Sequence, residues 1–154
     1  QASLVGFIGI FGVLVAFNNV TDYGSNLAFV QHVLSMDTTF PGNAMMWRAV
    51  TDPTAQQIFY GIIIAGEAAA GLLCLVGALR LLIALGDPTD LFHEAKGTAF
   101  IGLFVGFAVW FLGFMVVGGE WFGMWQSPTW NGQEAAFRFI VCIGIVMLFL
   151  QRKE

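Results

Sequence analysis

Charge is scarce along this chain: Lys and Arg number six and Asp and Glu ten, so charged residues make up 10% of 154. A soluble domain carries about 25%, and a surface this poor in charge is excluded from facing water. The basic side is the thinner of the two, leaving a net charge of −4. No patch of Lys and Arg is left to neutralise a phosphate backbone, so nucleic-acid binding is excluded. Cysteine is nearly absent, and Cys74 and Cys142 both lie inside apolar runs, where a thiol behaves as a small hydrophobe. A disulfide framework is therefore not expected. HExxH, CxxC, a glycine-rich phosphate loop and a serine elbow are all missing, so neither catalytic machinery nor a cofactor is expected. The chain opens at Gln1 and is apolar by residue 3, without a basic stretch or a small-residue cleavage site after Val15. No signal peptide is expected on that pattern.

What is present is apolar. Hydrophobic residues reach 58% and the mean hydropathy is +0.79. Four runs carry most of this, at about Leu4–Phe17, Ile58–Leu85, Ala99–Val117 and Ala135–Leu150. A helix needs ~20 residues to cross a bilayer and can extend past its apolar stretch at either end. The expectation is a single all-α domain over 1–154, a bundle of four transmembrane helices at about 3–20, 57–85, 97–118 and 134–151. Asp52-Pro53 and Asp87-Pro88 each set a capping carboxylate before a first-turn proline, and Asn131 with Glu134 has the spacing of a capping box.

Positive residues in short loops set orientation. Arg80, Lys96, Arg152 and Lys153 flank one side, against Arg48 and Arg138 on the other. Both termini and the 86–98 loop are therefore expected in the cytoplasm. The outward loops carry Trp47, Tyr60, Trp121, Trp125 and Trp130, rings suited to a membrane boundary. In the first of them, Leu27, Val30, Val33 and Leu34 recur at three and four residues against Asn26, Gln31 and His32. That stripe predicts a short amphipathic helix over 25–36, lying in the interface or across the bundle mouth. A turn cluster, 37–43, follows it.

Small residues let helices approach where lipid supplies no hydrophobic drive. Gly102 and Gly106 form a GxxxG, and Gly66, Ala70 and Gly71 offer a similar face. Packing inside the bundle is the first expectation for both, and contact with another subunit the second.

Glu67 is the residue that most invites a functional reading. It lies about 10 Å along the second span from Tyr60 at 1.5 Å per residue. Intramembrane acids usually face a bundle interior, pair with a cation or move protons and ions. A neutral Glu held by a hydroxyl or amide is the plainer alternative. Arg138, a turn into the fourth span, is the expected partner and Arg48 the reserve. His32 and Met36, with Asp37, Met45 and Met46 nearby, are a weak soft-metal set; packing and surface polarity are the expected roles, and no metal is predicted. Asn19-Val20-Thr21 fits a glycosylation pattern, but at the end of a span Asn18 and Asn19 read as interface groups closing the first helix.

The segments Asn18-Asn-Val-Thr-Asp-Tyr-Gly-Ser-Asn26, Phe29-Val-Gln-His-Val-Leu-Ser-Met-Asp-Thr-Thr-Phe-Pro-Gly-Asn43 and Trp47-Arg48 resemble a family of predicted small integral membrane proteins found mainly in proteobacteria. The resemblance covers nearly the whole chain. It implies four helices and a bacterial inner-membrane location, leaves a mitochondrial inner membrane open, and brings no established activity or catalytic residue.

The function expected first is a non-catalytic accessory or structural subunit, bound to a larger membrane complex or to its own copies, with Trp47, Arg48, Trp121 and Trp125 as the partner surface. A small ion, proton or solute transporter using Glu67 is the alternative, and a metal-binding or enzymatic protein working at its outward face comes third.

Overall fold

The computed structural model describes residues 1–152. Among these there is no strand: the chain folds into α1 (Ala2–Thr21), α2 (Tyr23–Ser35), α3 (Pro53–Ile83), α4 (Thr89–Ala95), α5 (Gly97–Ala108) and α6 (Gln133–Leu150). From Val109 to Trp121 α5 continues as a π-helix, in which Phe122 N donates to the Val117 carbonyl five residues back. Four helical stretches are long and apolar enough to cross a membrane: Ala2–Thr21, Pro53–Gly86, Thr89–Trp121 and Gln133–Leu150. Large side chains such as Phe7, Ile62, Phe104 and Leu148 lie exposed along them, as lipid-facing residues do.

Glycine sets which helices meet. α3 is the hub, with α1 on one side and α5 on the other. A Cβ on Gly12 would stand 2.9 Å from Gly71 Cα, and one on Gly102 would stand 2.6 Å from Cys74 N. Gly77 meets the Ala99 backbone in the same manner. The small faces of Gly71 and Gly102 are therefore occupied inside the chain. At the end carrying both termini, Lys96 is buried and its Nζ donates to the Arg152 carbonyl at 2.8 Å, over the ring of Phe92.

The opposite end carries the longer loops, and they are ordered. α2 covers the bundle with Val30 and Leu34 buried against Met36, Tyr60 and Phe122. Its boundaries are close to the 25–36 stripe, and it ends at Met36 in a left-handed conformation, φ 56°. The two loops are then tied together: Thr38 and Ser127 hydroxyls lie 2.8 Å apart, and Gln126 Oε1 accepts from Phe40 N and Asn43 Nδ2.

Local caps divide. Asp52 accepts from Ala55 N at 2.8 Å, with Pro53 in the first turn. Asp87 makes no cap bond, because a short 3-10 turn, Ala84–Gly86, precedes it and Pro88 takes the cap position of α4. The expected capping box at the fourth span is likewise not formed. Gly132 is the cap of α6, Asn131 Oδ1 accepts from Gln133 N, and Glu134 turns to Arg138.

Candidate functional site

Glu67 sits on the face of α3 turned toward α1 and is 2% exposed. The Gly12–Gly71 crossing explains its partner. Moving from that crossing toward the loop-rich end, Glu67 lies one turn along α3 and Asn19 two turns along α1, so the glutamate stem spans the difference. Asn19 Nδ2 donates to Glu67 Oε2 at 2.7 Å. The Tyr60 hydroxyl lies 2.8 Å from the Asn19 carbonyl and 3.1 Å from its Oδ1. The phenol proton is shared between the backbone carbonyl, the nearer acceptor, and the side-chain oxygen, and with that oxygen on the phenol side the amide nitrogen faces the carboxylate. A chain Tyr60, Asn19, Glu67 results.

Arg138 is not part of it. Its Nη2 pairs with Glu134 one turn earlier on α6, and both side chains are exposed. An arginine at the lipid or water boundary keeps its head solvated, and a partner four residues away on the same helix costs less ordering than one across the bundle. The expected Glu67–Arg138 pair is thereby corrected. Arg48, the reserve, is also elsewhere: its guanidinium lies 4.6 Å from the Trp121 ring and 5.2 Å from Trp47, and its Nη1 donates to the Trp121 carbonyl. Among the described residues the ion pairs are His32–Asp37 and Arg138–Glu134, and Glu67 is in neither. Its Oε1 accepts no hydrogen bond there.

Glu67 lines a half-open cavity of about 260 Å³ formed where α1, α2, α3, the π-helix and α6 meet. Asn26 from α2 is its fourth polar residue, and Trp110, Phe114 and Phe139 supply aromatic wall. Phe11, Trp110 and Phe139 hold one another with centroids 4.7–5.5 Å apart, so this wall is stiff. The Asn26 amide nitrogen donates to the Asp22 carbonyl, and the Tyr60 proton is used on Asn19. Glu67 Oε1 and Asn26 Oδ1 are the cavity's acceptors without a donor, beside a second amide proton on Asn26 and the indole N–H of Trp110.

The sequence reading missed Asn19, Tyr60 and Asn26 as site residues. Asn19 lies in the last turn of α1, which ends at Thr21, but its amide turns to Glu67 instead of serving as an interface group. Tyr60 was expected at the boundary, but it is buried at 1% exposure. The signal available was the small-residue pairing, since aligning Gly12 with Gly71 brings the Asn18-Asn19 pair near Glu67, the one acid of α3.

The weak metal set is separated. His32 Nδ1 lies 2.8 Å from Asp37 Oδ2 and its ring stacks on Trp130 at 4.6 Å, while Met36 points into the core at 1% exposure. The αL turn at Met36 sends the two side chains apart. Trp47 and Trp121 meet edge to face at 5.9 Å around Arg48, and Trp125 meets Phe40 at 5.7 Å. These rings form an exposed rim at the loop-rich end.

No curated protein and no solved structure matches the chain. A family described as predicted small integral membrane protein (DUF2165) matches residues 1–153, nearly the entire chain, and its description agrees with the four apolar spans. The protein therefore belongs to the DUF2165 family of small integral membrane proteins.

Proposed function

We propose that this protein binds, and moves across the membrane, a small cationic ligand held at Glu67. One observation carries the reading: a carboxylate buried in the bundle keeps an oxygen free, lines a cavity and has no cation beside it among the described residues. An acid within a span costs roughly 2.5–3.5 kcal/mol on insertion scales. A purely structural glutamate would have both oxygens satisfied, and Asn19 satisfies one. A proton or an ammonium group completes the site, and the aromatic walls favour an organic cation. α2 covers the loop-rich side of the cavity through Asn26 and Phe29.

Glu67→Gln is the test, because the amide keeps shape and hydrogen bonding while removing charge. Calorimetric titration of the purified protein with butylamine should give binding that the variant weakens about ten- to a hundredfold, the worth of a charge-assisted hydrogen bond of ~1.5–3 kcal/mol. Equal binding by both proteins defeats the reading.

The second reading is an accessory subunit, supported by the exposed Trp47, Trp121 and Trp125 rim. It has lost part of its support, since the glycine faces are used within the chain. Stoichiometric copurification with another membrane protein, abolished by Trp47→Ala, would favour it. Charge counting supports both termini on the cytoplasmic side, since Arg80, Lys96 and Arg152 lie at the terminal end and Arg48 and Arg138 at the other, and the resemblance in sequence supports a bacterial inner membrane.

A further inference from the structure

Beside the Glu67 cavity runs a second hollow, a groove of about 470 Å³ between α3 and the third span. Its walls are apolar, and Phe59, Ile62, Phe104 and Leu112 on its edges are exposed to the lipid side. Along the third span it extends from Phe104 to Gly118, about 21 Å at 1.5 Å per residue. One leaflet of the hydrocarbon core is about 15 Å deep, half of ~30 Å. The groove is therefore long enough to take a hydrocarbon chain that reaches through one leaflet.

The two hollows share a wall. Phe29, Val30, Ile63 and Phe114 line both, and the Phe29 and Phe114 rings face each other with centroids 6.1 Å apart. Phe29 and Phe114 are the aromatic part of that partition, beside Val30 and Ile63, and a ring can swing about its side-chain torsions without breaking a helix hydrogen bond. On one side of it are a carboxylate oxygen and an amide oxygen without donors; on the other is an open path to hydrocarbon.

We propose that the ligand of the Glu67 cavity is an amphiphilic amine that arrives sideways from the bilayer, its ammonium head at Glu67 and its hydrocarbon chain in the α3–third-span groove, with Phe29 and Phe114 as the partition it displaces. The proposal rests on the cation-binding reading of Glu67 and adds the substrate class and the route. The head is specified by the acceptor oxygens and aromatic wall, which suit a donor of positive charge. The chain is specified by the groove, whose lining would leave a polar extension without partners. A ligand of this class never has to leave the membrane to reach the site, which fits a cavity roofed by α2 on its loop-rich side.

The full chain in phosphatidylcholine nanodiscs is irradiated with a hexadecylamine probe carrying a diazirine near the end of its chain. Labelled peptides should map to the groove at Phe104, Leu112 and Val117, and Glu67→Gln should lower that label about tenfold or more. Ala108→Trp, which fills the groove, should lower the label equally while leaving butylamine binding within about twofold. Equal labelling by an uncharged hexadecanamide probe, or labelling indifferent to Glu67→Gln, overturns the proposal and makes the groove an ordinary lipid contact. Under that outcome, butylamine binding retained by the wild type and lost in Glu67→Gln leaves the cavity reading standing. Absence of butylamine binding to the wild type removes both.

Discussion

Replacing Gly71 by alanine sets a methyl group 2.5 Å from Val13 N and 2.9 Å from the Gly12 carbonyl carbon. Ordinary contact begins at about 3.4 Å, so α1 and α3 must separate by about 1 Å at their closest point, and the obstacle is helix backbone that cannot rotate away. Overpacking of this kind costs about 1–3 kcal/mol. The same substitution at Gly144 or Gly61, where a new Cβ meets nothing within 4 Å, removes only backbone freedom and should be neutral or stabilise by ~0.5–1 kcal/mol. The contrast between the two alanines, about 1–4 kcal/mol, isolates the crossing from the general effect of alanine on a helix. Reversible unfolding of the purified protein in mixed micelles, titrated with a denaturing detergent, measures it. The separation also lengthens the Asn19–Glu67 bond, so Gly71→Ala should weaken butylamine binding as Glu67→Gln does, and Gly144→Ala should not. Equal stability of Gly71→Ala and Gly144→Ala would refute the claim that this crossing positions the site.

Asn19→Leu removes the donor to Glu67 and the Oδ1 contact of Tyr60, whose hydroxyl keeps the backbone carbonyl of residue 19, and leaving the buried carboxylate without its donor costs roughly 1–3 kcal/mol; unfolding within error of wild type would exclude Asn19 as the link. Gln126→Ala removes the acceptor shared by Phe40 N and Asn43 Nδ2, and amide exchange over 36–45 should quicken several-fold for a loss of about 1 kcal/mol while the spans keep their protection. Orientation is checked with single cysteines in a background lacking Cys74 and Cys142: an impermeant maleimide applied to intact cells should label positions 32 and 125 and spare 93, and the reverse pattern inverts the topology.

The sequence alone determined the class of protein and the run of its elements, because both rest on composition and on periodicity that act locally. A long apolar stretch has nowhere stable to go except a membrane, whatever its neighbours, and the three-four recurrence of Leu27, Val30, Val33 and Leu34 makes a helix with a buried stripe before any partner is chosen. Asp52 caps α3 for the same reason, since donor and acceptor lie within one turn. Glu67 stood out because an acid is costly at that depth. What surrounds Glu67 is another matter, since hydropathy gives depth along a helix but not the direction a side chain faces. Arg138 was plausible by depth, yet Glu134 holds it at the surface. Asn19 became the partner only once Gly12 and Gly71 brought α1 and α3 into backbone contact. Met36 parted from His32 through a single left-handed residue. The cavity and the groove exist only where five elements converge, and the rings of Phe29 and Phe114, 85 positions apart in the chain, meet as their common wall through tertiary packing alone.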